Sequence, residues 1–170
     1  PMPGNVTAKD VMLELLRHPL VRSGGAIGMA VEYTGDVVAA MSIDERATLN
    51  NMAAEVGAFT AVVAPDSETV RYLVTRRGIS EQDAWSACDG LVSDADAEYH
   101  AVIRIDVSSL RPMVALPGDP GNGMMVEELP NDVAVDIAYA GSCTAGKCAD
   151  MDMYARVFAE ARSRGARVAC

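Results

Sequence analysis

The sequence predicts an α/β fold in which helices lie on the faces of a mixed or parallel sheet. Two observations carry the prediction. Capped segments with helical apolar spacing alternate along the chain with short apolar runs bounded by Pro or Gly, and no stretch repeats another. At 170 residues the chain is also long enough to bury a sizeable core without disulfide staples.

Thr7, with Asp10 three residues on, reads as a helix N-cap with an acidic partner. Val11, Met12, Leu15 and Leu16 then keep helical spacing until His18 and Pro19 end the helix. Ser23, Gly24 and Gly25 open a loop leading to a strand that includes Val31 and Tyr33. Ser42 and Glu45 form a capping box, worth about 1 kcal/mol. The helix they start is expected from Ile43 to Val56, with Gly57 closing it. Thr60 to Pro65 reads as a short buried strand. Asp66 or Ser67 caps the next helix, whose Arg76 and Arg77 suit its negative C-terminal end before Gly78 stops it. The acidic stretch 79–98, with Trp85 and Cys88, is expected to hold one short helix and a loop. Ala101 to Val107 alternates like a strand, whereas Pro112, Pro117, Pro120 and the nearby glycines break regular structure. Asp132 to Tyr139 reads as another strand, joined by a Gly-Ser-Cys turn to a long helix from about Lys147 to Arg164. A domain boundary is expected near residue 108, with 1–108 one α/β domain and 109–170 the opening strand-turn-helix part of the next.

Composition narrows the partners. Twenty-four acidic residues against 14 basic give a net charge of -10, which disfavours nucleic acid and anionic membranes. No apolar run approaches the roughly 20 residues of a membrane helix, and no secretory leader pattern opens the chain, so a cytoplasmic location is the expectation. Both ends read as cut from something longer. Cys88, Cys143, Cys148 and Cys170 are irregularly spaced and point to reduced thiols or metal ligands, and with His18 and His100 far apart no self-contained zinc site is expected.

Two places carry chemistry. From Tyr139 to Gly146 a strand runs into a small-residue turn that opens a helix, which displays the thiol of Cys143. Near a helix N-terminus a thiolate is favoured, so a metal ligand, a nucleophile and an inert turn cysteine all remain open readings. In the helix starting at Ser42, Asn51 and Glu55 sit four residues apart on one face, among Met52, Ala53, Ala54 and Val56. An amide and a carboxylate half-buried there could orient a substrate or move a proton; a solvated polar stripe has the same spacing.

The run from Met41 to Ala58, with Glu45, Arg46, Thr48, Asn51, Met52, Glu55 and Gly57 in place, followed by Ala64, Pro65 and Asp66, resembles a segment of the aconitase and isopropylmalate dehydratase family. Asn5 to Asp10 resembles that family's entry into this region. Gly141, Ser142, Cys143 and Thr144, then Asp150 and Met151, are similar to its cluster motif. The resemblances occur in family order and span most of the chain. They imply an aconitase-type three-layer domain and a hydro-lyase acting on a small hydroxy di- or tricarboxylic acid, most like 3-isopropylmalate dehydratase. They also imply a 4Fe-4S cluster held by three thiolates, with Cys143 as one ligand, and Asn51 and Glu55 near it orienting a bound water or substrate hydroxyl.

Departures are equally specific. The family's other two cluster cysteines form a close pair beyond this stretch, Cys148 does not replace them, and the usual Asn after the motif is Ala145 here. The remainder of the large subunit and a swivelling small subunit or domain are the implied partners. On this reading the 170-residue chain alone is inactive and holds no cluster. The competing reading is a cluster-free, aconitase-like binding or assembly module. A Cys143 nucleophile is weakest, because no motif links either histidine to that thiol.

Overall fold

The computed structural model describes residues 1–130 and 133–166, in two compact units, Pro1–Pro130 and Asn131–Cys170. The call on Cys170 and the first residue of the strand expected at Asp132 lie outside the described residues.

The first unit opens with helix α1, Ala8–Arg17. The Asp10 carboxylate accepts from the Thr7 N–H at 2.7 Å and the Thr7 hydroxyl at 2.8 Å, so the expected acidic partner does reach back over the first turn. His18 and Pro19 end the helix as expected, and Pro19 begins the short helix α2, Pro19–Arg22. Strand β1, Ala30–Glu32, pairs in parallel with β2, Thr60–Val62, in the register Ala30 to Thr60, Val31 to Ala61 and Glu32 to Val62. The crossover between them contains α3, Asp36–Ala40, and α4, Ile43–Asn51. This is the strand-helix-strand arrangement that makes the fold α/β. Helix α5, Ser67–Arg77, is capped by Asp66, whose carboxylate accepts from the Glu68 and Thr69 N–H groups, and it ends at Gly78 in the left-handed conformation. Helix α6, Glu81–Cys88, supplies the one short helix expected of the acidic stretch.

The core forms on one face of α1. Ala8, Met12, Leu15 and Leu16 pack with Val21, Met41, Leu49, Met52 and Val56, so α1, α2, α4 and the turn after α4 share one apolar cluster. A smaller cluster joins Val6, Leu110 and Met113.

Three strand expectations are corrected. The strand expected from Thr60 to Pro65 ends at Val62 and is not buried, Thr60 and Val62 being exposed. Ala101 to Val107 is extended but has no strand partner among the described residues. Its alternation is nevertheless real, because Ile103 and Ile105 lie on the main cluster while Val102 is exposed. A two-residue period reports which side chains face an apolar surface; it does not report whether the backbone finds a ladder. Residues 133–139 likewise form no strand, and Val133, Val135, Ile137 and Tyr139 are all exposed.

The Pro-rich stretch, expected to be irregular, contains an antiparallel pair. Strand β3, Met113–Ala115, pairs with β4, Gly123–Met125. Pro112, Pro117 and Pro120 fall outside the paired residues, so they bracket the ladder without removing a donor from it. The second oxygen of Asp10 accepts from the Met113 N–H at 2.7 Å, which fastens this hairpin to the start of α1. A Cβ at Gly123 would lie 3.3 Å from the Leu13 carbonyl oxygen, which shows how closely β4 approaches the same helix.

In the second unit, helix α7 spans Cys148–Ser163, close to the limits expected for it. The Asp150 carboxylate accepts from the Lys147 N–H at 3.0 Å and pairs with the Lys147 ammonium at 3.0 Å.

Candidate functional site

Helix α4 begins with the expected capping box. The Ser42 hydroxyl accepts from the Glu45 N–H at 3.3 Å, and the Glu45 carboxylate accepts from the Ser42 N–H at 3.1 Å. The helix ends at Asn51, five residues short of the expected limit at Val56. Beyond it the backbone closes successive three-residue turns: the Ala53 N–H donates to the Asn50 carbonyl at 3.3 Å, Glu55 to Met52 at 3.2 Å and Gly57 to Ala54 at 3.0 Å. Met52, Ala53 and Val56 are all buried along these turns, before the chain enters β2.

Gly57 makes that turn at φ +83, where a side chain would be strained, and its carbonyl accepts from the Gly28 N–H at 3.0 Å. With 52, 53 and 56 buried, residues 51, 54 and 55 are left facing out. Asn51 and Glu55 are therefore both exposed at the corner where the chain leaves α4 for β2, not on a continuous helix, and neither is half-buried as expected. Tyr33, just after β1, is near enough for the Glu55 charge to act on it. Burial first, and that charge second, push the Tyr33 phenol up to about 12. Its hydroxyl oxygen and the Asn50 side-chain oxygen are buried without a hydrogen-bond partner among the described residues.

One buried cation anchors the helix that carries this corner. Arg46 is 3% exposed, and its guanidinium donates to both carboxylate oxygens of Asp66 at 2.9 and 2.7 Å. It also donates to the carbonyls of Met41 at 3.1 Å and Ala39 at 3.0 Å. The hydrogen bond from Arg46, opposed by burial and helped by the bonds from the α5 N–H groups and the Arg46 charge, holds the Asp66 carboxyl below the usual range. Local spacing gives no sign of this pair, which the fold joins across 20 residues. A cleft of about 360 Å³ opens elsewhere in the unit, lined by Arg17, His18, Arg104 and Asp106 among others; neither Asn51 nor Glu55 lines it.

The second unit carries Cys143, exposed as expected of a displayed thiol, in a turn over residues 143–145. Gly141 has φ +126 and Ser142 φ +152, the latter outside the range a serine normally adopts. A Cβ at Gly146 would lie 2.6 Å from the Ser142 carbonyl oxygen, so the turn closes too tightly for any other residue there. Lys147 donates to the Thr144 carbonyl, and the Tyr154 hydroxyl donates to that of Ala145 at 3.4 Å, tying the turn to α7. The turn leads into α7 within a residue of the start expected near Lys147. The helix starts five residues after Cys143, so the thiol at its first position belongs to Cys148.

The structure thus leaves Asn51 and Glu55 exposed in the stretch between α4 and β2 of the first unit, while Cys143 is carried by the second. No group of three or more His, Cys, Asp or Glu residues that could hold a metal ion occurs among the described residues. A cluster needing three thiolates does not find its ligand set in them.

The parallel strand pair with helices in its crossover defines an α/β protein. The chain belongs to the aconitase family: the model of that family (aconitate hydratase) matches residues 1–132, which include Asn51 and Glu55. The 3-isopropylmalate dehydratase large subunit 1 of Methanopyrus kandleri is 39% identical over 156 residues, covering 92% of this chain and 35% of that protein. The 3-isopropylmalate dehydratase large subunit of Wolinella succinogenes is 35% identical over 154 residues, covering 90% of this chain and 35% of its own length. The chloroplastic large subunit of Arabidopsis thaliana is 34% identical over 157 residues, 92% of this chain and 29% of that one. The chain therefore spans about a third of the length of these curated relatives. No described helix is long and apolar enough to cross a membrane.

Proposed function

We propose that this chain is part of a hydro-lyase that removes water from, and adds it back to, a small hydroxy di- or tricarboxylic acid, most like the 3-isopropylmalate dehydratases whose large subunits it matches. The observation that carries the reading is the exposed corner of Asn51 and Glu55, built by residues of the very segment that resembles the family. An exposed amide can hold a substrate hydroxyl by hydrogen bond, and an exposed carboxylate of the same stretch can take or return that hydroxyl's proton. Cys143 supplies one thiolate of a 4Fe-4S cluster in the parent protein. The strained Gly141–Ser142 backbone and the closed turn after it support that role, since strain of this kind is kept where it serves to display a group.

The remaining thiolates, and the groups that bind the substrate's carboxylates, come from the rest of the large subunit and from a small subunit or swivelling domain. Those partners are proposed from the relatives' names and their greater length. The chain alone is inactive and holds no cluster, and the parent works in the cytoplasm. Turnover of isopropylmalate, citrate and homocitrate by the full-length parent, reconstituted anaerobically with iron and sulfide, tests the reading. We expect turnover of one of the three, abolished by Cys143→Ser; no turnover of any counts against the assignment. A second reading is a cluster-free binding or assembly module, favoured by the lack of a three-residue metal-binding group among the described residues. A parent that folds and binds one of these acids but takes up no iron would support it.

A further inference from the structure

We propose that Arg46 is a positioning residue for the corner that carries Asn51 and Glu55, acting through Asp66; the inference rests on the hydro-lyase reading of that corner. Only three side chains of α4 are buried, namely Arg46, Thr48 and Leu49, and only the last is aliphatic. Within its own span the helix is therefore held by apolar packing through Leu49 alone. The guanidinium adds a directional hold. Its planar fork engages both oxygens of Asp66 and two carbonyls, those of Ala39 at the end of α3 and Met41 after it. The same Asp66 carboxylate caps α5. One buried group thus ties the end of α3, the body of α4 and the start of α5, and four donor contacts in a rigid plane fix the azimuth of α4.

That azimuth decides where Asn51 points. A side-chain tip on a helix lies roughly 6 Å from the axis, so a 10° rotation moves it by about 1 Å. A misplacement of that size in a reacting geometry costs about 100-fold in rate. Burial of Leu49, Met52, Ala53 and Val56 keeps the chain folded when the fork is lost, and the fork adds to that packing the directional constraint on α4.

The test uses two variants, because a buried charge left unpaired can unfold a protein by itself. Arg46→Lys keeps the charge and loses the fork. The double change Arg46→Met with Asp66→Ser removes both charges and keeps a capping hydroxyl for α5. In each, we expect the side-chain amide signals of Asn51 in a 15N NMR spectrum of the chain to shift and broaden, with far-UV circular dichroism unchanged. In the full-length parent we expect kcat to fall about 100-fold with KM within threefold. Unchanged Asn51 signals and unchanged kcat in the double variant would overturn the inference and leave the pair a stabilising contact. If the unmodified parent turns over no hydroxy acid, the hydro-lyase reading fails by itself, and the Asn51 signals of the chain still decide whether Arg46 positions that residue.

Discussion

Glu32, the last residue of β1, shows how one carboxylate can hold a long loop. It accepts from the Tyr99 hydroxyl at 2.6 Å and the Ser93 hydroxyl at 2.7 Å, partners 67 and 61 residues away. The bond from Tyr99, then that from Ser93, lowers its pKa below the ordinary 4.5, against a smaller opposing effect of burial. A depressed folded pKa means the ionised form is favoured by folding, so the stabilisation is fully present above the ordinary value. It is lost as pH falls through the folded one. Asp66 behaves in the same sense, held down first by Arg46. We expect amide hydrogen exchange of residues 91–100 to be slow relative to random coil at pH 6, and to accelerate towards the coil rate at pH 3 after correction for intrinsic rates. In Tyr99→Phe the loop should already exchange faster at pH 6 and change little on acidification. A variant that keeps the full pH response would show that another group holds the loop.

Among the elements, the turn between α4 and β2 is where sequence and fold diverge most usefully. Capping residues were legible because their effect is local: Ser42 with Glu45, Asp66, and Gly78 each act within three or four residues, and each lies where spacing places it. Strand pairing was less legible because it is not local. Ala101 to Val107 has the alternation but no partner among the described residues, and Met113–Ala115 has a partner although prolines flank it. At the site, the exposure of Asn51 and Glu55 was not legible, because it depends on which of their neighbours, Met52 and Val56 among them, reach the core. The pairing of Arg46 with Asp66 was not legible for the same reason, since the two meet only after folding. Gly57 is the residue that lets the corner close. At φ +83 an alanine is strained, and its Cβ would stand 3.1 Å from Cγ1 of Ile27. Gly57→Ala should cost about 1–2 kcal/mol, measured by urea denaturation of the chain. A neutral effect would mean that the corner relaxes into another turn, and the exposed placement of Glu55 would then lose its support.

At the scale of the whole molecule, half of the residues are apolar, yet much of that surface stays outside. Phe59 is 86% exposed and Ile27 69%, beside the β1–β2 pair, and in the second unit Ile137 and Tyr139 are 85% and 84% exposed. Parallel strands are ordinarily covered on both faces, so uncovered apolar groups at a two-stranded parallel pair invite association. Opposing this is a net charge of -10, which keeps copies apart while it is unscreened. The screening length falls from about 30 Å at 0.01 M salt to about 3 Å at 1 M, so the balance between the two effects is set by salt. We expect the chain to sediment as a monomer at 0.02 M sodium chloride and to associate at 0.5 M, where it also binds the dye ANS while keeping its circular dichroism. Replacing Ile27 and Phe59 together by Ser should weaken both effects without unfolding the chain, because neither side chain contributes to the buried core. Association that is insensitive to salt, or unchanged in the double variant, would place the adhesive surface elsewhere than at the first unit's strand pair.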